Sequence, residues 1–217
     1  MKNKILCPSM MCADFTRIQE EMRLLEEAQI DIYHCDVMDG NFVENMALAI
    51  NDIQCIRKLT QKEIDVHLMI ENPSKKVDWF IEAGADIIYI HPESERYVSK
   101  TLRYIQSMGR KAGIAINPDT SFEAIYELLK FCDLILIMTV SPGFSGQAFE
   151  ENTLDKICKI VKLKESFGYK VIIDGACSSE VIKNLSYLGV DGFILGTSAL
   201  FGKNRSYREI IRELRDL

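Results

Sequence analysis

Four polar residues interrupt, or directly follow, apolar runs. His34 and Asp36 stand two apart in Ile32–Met38, His67 lies in Ile64–Ile70, and Asp174 follows Val171–Ile173. In an extended segment the i, i+2 spacing puts His34 and Asp36 on the same side. Taken singly, each has a bland reading: a His in such a place is a hydrogen-bonded core residue, and an Asp caps the next helix. Taken together, two imidazoles and two carboxylates make a donor set for one divalent ion, and Zn²⁺, Fe²⁺, Mn²⁺ and Co²⁺ all accept it, with Zn²⁺ first among them. Clustering such groups away from water without a cation would be costly. The remaining His, His91, precedes Pro92-Glu93 and reads as structural or as a support behind a ligand.

Three turns of small residues also follow apolar runs: Pro142–Gly146 (with Gly143, Phe144 and Ser145), Asp174-Gly175-Ala176, and Gly196-Thr197-Ser198. Such turns let backbone N–H groups approach an oxyanion. A lone Pro-Gly-x-x-Gly is also a common turn, but the three together point to a phosphorylated ligand. Met38, Met69 and Met138 end apolar runs as well. Methionine there is either gap-filling core or a soft, water-excluding lining around a reactive intermediate.

The elements that must position these residues recur eight times. Apolar runs read Ile5–Pro8, Ile32–Met38, Ile64–Ile70, Ile87–Ile90, Ala112–Ile116, Leu134–Val140, Val171–Ile173 and Gly192–Leu195. Their length and Ile/Leu/Val content suit strands buried on both faces of a parallel sheet. Between them lie helical periodicities, as in Phe15–Glu27 and Glu151–Phe167, with start signals at Asp14, Pro73 and Ser178/Ser179. "AGAD" at Ala83–Asp86 and "LGVD" at Leu188–Asp191 read as helix-to-strand joints. The expected fold is α/β: a (β/α)8 TIM barrel in a single domain over residues 1–217, with a doubly wound open sheet as the alternative. In the barrel all the residues above fall at the carboxyl ends of strands, where that fold keeps its active site, and the loops after strands six to eight are neighbours.

Two carboxylates beside a metal, with a phosphate grip, suit proton abstraction next to a carbonyl. One Asp takes the proton and the other returns one to the opposite face, which requires environments that push their pKa values apart. Composition excludes other classes. The 217 residues carry 26 Lys+Arg against 32 Asp+Glu, a formal charge of −6, which argues against nucleic-acid or membrane-surface partners. At 47% hydrophobic the chain is not disordered, and it has no run long enough to span a membrane. Lys2 and Lys4 precede only a short run ending at Pro8, which does not read as a targeting signal. Seven Cys without a C-x-x-C pair read as reduced thiols in a cytoplasmic protein.

The stretches "HCDVMDGNFV" (His34–Val43), "DVHLMIENP" (Asp65–Pro73), "AGAD", "NPDT" (Asn117–Thr120), "MTVSPGFSGQAF" (Met138–Phe149) and "DGACS" (Asp174–Ser178) resemble, in order, the ribulose-phosphate 3-epimerase family. The resemblance implies a barrel of the ribulose-phosphate-binding type that inverts C3 of a ketose phosphate through an enediolate with one divalent metal ion. It implies that His34, Asp36, His67 and Asp174 bind the metal, that Asp36 accepts and Asp174 donates the proton, and that the protein is a dimer or hexamer. Substrate contacts would come from Ser9, His67, Gly143, Phe144, Ser145, Gly146, Gly175, Ala176, Gly196, Thr197 and Ser198. Segments around Met10–Asp14, Thr139, Ala176-Cys177 and Thr197–Phe201 look more like the branch acting on D-allulose 6-phosphate/D-fructose 6-phosphate than like the one acting on D-ribulose 5-phosphate/D-xylulose 5-phosphate. The hexulose phosphate is therefore the expected substrate and the pentulose phosphate the alternative. Asn41 and Glu44 stand where both branches usually carry His and Pro. A lyase related to hexulose-phosphate synthase would be expected to carry a Lys near Asp36, whereas Cys35 and Val37 flank it. A catalytically silent sugar-phosphate sensor would not need both Asp36 and Asp174.

Overall fold

The computed structural model describes residues 4–217; Met1–Asn3, part of the stretch read for a targeting signal, lie outside that range. Eight strands, β1 (Ile5–Pro8), β2 (Ile32–Met38), β3 (Glu63–Met69), β4 (Ile87–Ile90), β5 (Lys111–Ile116), β6 (Leu134–Met138), β7 (Lys170–Asp174) and β8 (Gly192–Leu195), alternate with helices. The helices are α1 (Ile18–Glu27), α2 (Ile50–Leu59), α3 (Val77–Ala83), α4 (Val98–Ser107), α5 (Phe122–Ile125), α6 (Leu154–Phe167), α7 (Ser179–Leu188) and α8 (Tyr207–Asp216). All strand pairs are parallel and the order runs β1-β8-β7-β6-β5-β4-β3-β2. A parallel bridge between Ser9 and His34 brings β1 back to β2. The sheet is the expected (β/α)8 barrel, and the open doubly wound alternative is excluded by that closure.

The start signals behave as capping chemistry requires. Asp14 accepts from Thr16 N–H, Ser178 accepts from Val181 N–H at the start of α7, and Pro73 opens a short 3₁₀ turn. Two expected helices begin later than their periodicity suggests, because Phe15–Arg17 and Glu151–Thr153 are 3₁₀ turns leading into α1 and α6. β6 stops at Met138, short of Val140: the Thr139 N–H still reaches Asp174 O at 2.7 Å, after which the chain turns away. β7 in turn extends through Asp174, so this carboxylate belongs to the strand itself.

At the amino ends of the strands one device repeats four times. Asp31, Asp86, Asp133 and Asp191 precede β2, β4, β6 and β8. Their Oδ2 atoms accept the backbone N–H of Leu6, Ile64, Ala112 and Val171, the second residue of β1, β3, β5 and β7, at 2.8 to 3.0 Å. Arg215, Arg57 with Arg110, Gln106 and Lys164 hold the four carboxylates from the helical layer. The repeated Gly-x-Asp pieces are thus joints in which Gly84 and Gly189 end a helix at φ +105° and +99° and the Asp ties two strands together.

Most of the core lies between sheet and helices, while a smaller cluster with Cys7, Ile32, Tyr89, Leu136, Ile172 and Ile194 fills the barrel. Gly113 makes room there: a Cβ on it would sit 2.4 Å from Tyr89 Cδ1. The barrel floor is thereby plugged below the site. Among the described residues no helix is long and apolar enough to cross a membrane.

Candidate active site and metal centre

The polar residues singled out above sit where the strands end. Register places Asp36 beside His67, Met38 beside Met69, and Met138 beside Asp174. His34 and His67 are fully buried, Asp36 nearly so, and Asp174 is 16% exposed at the cavity floor. Their ligand atoms lie within 4.8 Å of one another. His34 Nε2 is 3.1 Å from Asp36 Oδ1 and 3.8 Å from Asp174 Oδ2. His67 Nδ1 is 3.3 and 3.6 Å from the same two oxygens. Tetrahedral ligands at about 2.0–2.1 Å from an ion would be about 3.4 Å apart, and these four His–Asp separations bracket that spacing, so the donor set suits a divalent ion.

The charges agree with that fit. Burial opposes a charge on His34, yet Asp65 and Asp36 overcome it and raise the ring well above its ordinary value. Burial likewise opposes a charge on His67, and Asp174 and Asp36 raise it. Burial would raise Asp36, but the two imidazoles outweigh it and hold its carboxyl well below the usual range. The pocket calls for positive charge between its carboxylates. The other oxygen of Asp36, Oδ2, accepts from Ser9 Oγ at 2.6 Å across the barrel seam.

Above the floor a cavity is lined by Ser9, the three methionines Met38, Met69 and Met138, and the three small-residue turns at 143–146, 175–176 and 196–198. Every expected substrate contact is in that wall except His67, which lies beneath it, fully buried. Among the described residues no Lys or Arg lines the cavity. Gly143, Gly146 and Gly175 have φ of +116°, +84° and +110°, and Ala176 adopts +46°, a conformation that favours glycine. Thr139 Oγ1 accounts for part of that shape by donating to Gly175 O at 2.6 Å. Gln147 Nε2 ties Ser141 O and Phe144 O, and Asn45 Nδ2 donates to Gly143 O at 2.7 Å, joining the loop after β2 to the loop after β6. Asn41 and Glu44 are exposed outside the lining.

A family model described as "Ribulose-phosphate 3 epimerase family" matches residues 5–201. The chain belongs to the ribulose-phosphate 3-epimerase family. It is 38% identical to ribulose-phosphate 3-epimerase of Synechocystis sp., covering 99% of this chain and 94% of that one, and 34% identical to that of Bacillus subtilis, covering 97% of each. Among solved structures it is similar to 3-hexulose-6-phosphate synthase from Salmonella typhimurium (TM-score 0.73, 16% identity, 100% of this chain and 97% of that chain). It is also similar to KGPDC from Streptococcus mutans (TM-score 0.74, 12% identity, 99% and 97%). At such identities these two speak for the fold alone. As a member of this epimerase family the chain is an isomerase.

Asp65 and some cavity-lining residues of this epimerase escaped the sequence reading, whereas His91, read as structural or as a support behind a ligand, lies against His67. Asp65, fully buried, places Oδ1 2.5 Å from His34 Nδ1, behind the ring. Its signal was available, since Asp65 precedes His67 by two and so shares its side of β3. His91 Nε2 meets His67 Nε2 at 2.8 Å. Burial, against the pull of Glu93, pushes His91 down to about 4. Met11, Cys12 and Ile194 also line the cavity, with nothing in their types to announce it.

Proposed function

We propose that this epimerase interconverts D-ribulose 5-phosphate and D-xylulose 5-phosphate, with Asp36 and Asp174 as paired acid and base and one divalent ion held by His34, Asp36, His67 and Asp174. The observation that carries the reading is the convergence of two carboxylates and two imidazoles at the floor of a cavity walled by anion-binding turns. The ion supplies Lewis acidity toward the ketose oxygens. Asp36, held ionised, takes the proton from C3 and leaves an enediolate. Asp174 returns a proton to C3 from the opposite face, and the two exchange roles in reverse. Ser9 keeps one oxygen of Asp36 oriented. The methionines exclude water beside the reacting carbon, and the turns at 143–146, 175–176 and 196–198 hold the phosphate through main-chain N–H groups.

The hexulose phosphate suggested by branch-like segments loses weight on two grounds. Relatives at 34% to 38% identity are named ribulose-phosphate 3-epimerase. One of the departures also does not reach the cavity: Thr139 is fully buried with its hydroxyl on backbone carbonyls. Measuring kcat/KM on both substrates decides between them. The expected result is at least tenfold preference for D-ribulose 5-phosphate; equal or better activity on D-allulose 6-phosphate overturns the substrate assignment.

A further inference from the structure

We propose that His91 is a positioning residue that fixes the tautomer of His67, and that Glu93 fixes His91 in turn. The inference rests on the reading of His67 as a metal ligand. His67 points Nδ1 at Asp36 and Asp174, so a neutral ring offering that lone pair to a cation must carry its proton on Nε2. His67 Nε2 lies 2.8 Å from His91 Nε2, and one proton serves the two nitrogens. With that proton on His67, His91 accepts at Nε2 and carries its own proton on Nδ1. Nδ1 faces Glu93 Oε2 at 3.4 Å. Glu93 is anchored at the end of β5: its Oε1 accepts from Asn117 N–H at 3.2 Å and from the Thr120 hydroxyl.

In that order the protons run outward, from His67 through His91 toward the Glu93 carboxylate, which Nδ1 faces at ion-pair distance without hydrogen-bond geometry. The reverse order would place the His67 proton on Nδ1, between the ligand groups. His91 is fully buried, its ring centroid 5.0 Å from that of His67 and 4.8 Å from that of Phe42, so its ring cannot turn away into water. His34 is held by the other device, a carboxylate on Nδ1 with Nε2 facing the ligand cluster. The two rings thus present opposite nitrogens, each fixed from behind, as ligating imidazoles are in metal sites.

The test uses zinc-loaded protein. In wild type, long-range ¹H–¹⁵N spectra should show the His67 ring proton on Nε2; a proton on Nδ1 overturns the inference, and this measurement needs no variant to fold. Zinc affinity is then measured by competition with a chelating dye. His91→Leu removes the acceptor and should bind zinc 10–100-fold more weakly, the range seen when such supports are lost. His91→Gln, whose side-chain oxygen reaches the position of Nε2, should bind within about threefold of wild type. A Leu variant as tight as wild type, or a Gln variant as weak as Leu, overturns the role of His91 alone. A wild type that binds no zinc overturns the ligand reading beneath it.

Discussion

At the scale of single residues, Asp174 and Asp36 share the same ligand cluster yet meet the cavity differently. Asp36 is nearly buried and tied by Ser9, whereas Asp174 is more open and stands at the end of its strand. Asp174→Asn should keep the fold, seen as an unchanged circular dichroism spectrum, while turnover falls about 10²–10⁴-fold, the contribution of a positioned acid or base. Wild-type turnover in that variant would defeat the two-carboxylate scheme. Asp39 belongs to the scaffold. Partial burial opposes its charge, but the N–H groups of Glu71, Phe42 and Asn41 and the Lys76 ammonium hold it down at about 2, against an ordinary 3.8. A lowered folded pKa gives stability that is complete above about pH 4 and is lost as pH falls toward 2. Between those limits, urea unfolding of wild type should weaken more steeply than that of Asp39→Asn; parallel slopes would contradict the assignment. His34, Asp36, His67 and Asp174 were legible because a polar residue in an apolar run stands out. Asp65 was not, because it matters only through a partner on another strand, and His91 was read only as structural or as a support, because its partner ring lies on another strand.

At the scale of elements, the strand pattern was readable from apolar runs alone, and boundaries moved by a few residues where loops compete for backbone hydrogen bonds. Thr139 is the clearest case, since its N–H and hydroxyl both serve the end of β7. The Gly-x-Asp joints at Asp86 and Asp191 were visible as repeats, but their purpose, shared with Asp31 and Asp133, was hidden. Each Asp acts on an N–H 20 to 25 residues upstream, which no local pattern reveals. Asp133→Ala should therefore destabilise the barrel by about 1–3 kcal/mol, because it strands the buried N–H of Ala112. For a chain of this size that corresponds to a melting temperature lower by about 2–12 °C. An unchanged melting temperature would show that the joint contributes nothing.

At the scale of the whole molecule, the barrel explains how a chain of charge −6 can hold a phosphate dianion. Among the described residues no Lys or Arg lines the cavity, so a phosphate held there as proposed would draw its positive field from main-chain dipoles and a cation at the His/Asp cluster. Closure between Ser9 and His34 also does chemical work, since it sets the hydroxyl of β1's end against the carboxylate of β2. The proposed epimerisation requires a proton to leave and return at C3. Conversion of D-ribulose 5-phosphate in D₂O measures this directly, by proton NMR and mass of the product. The expected product is D-xylulose 5-phosphate carrying one deuterium at C3. Product that keeps protium at C3, or no turnover of the sugar phosphate at all, would contradict the proposed epimerisation.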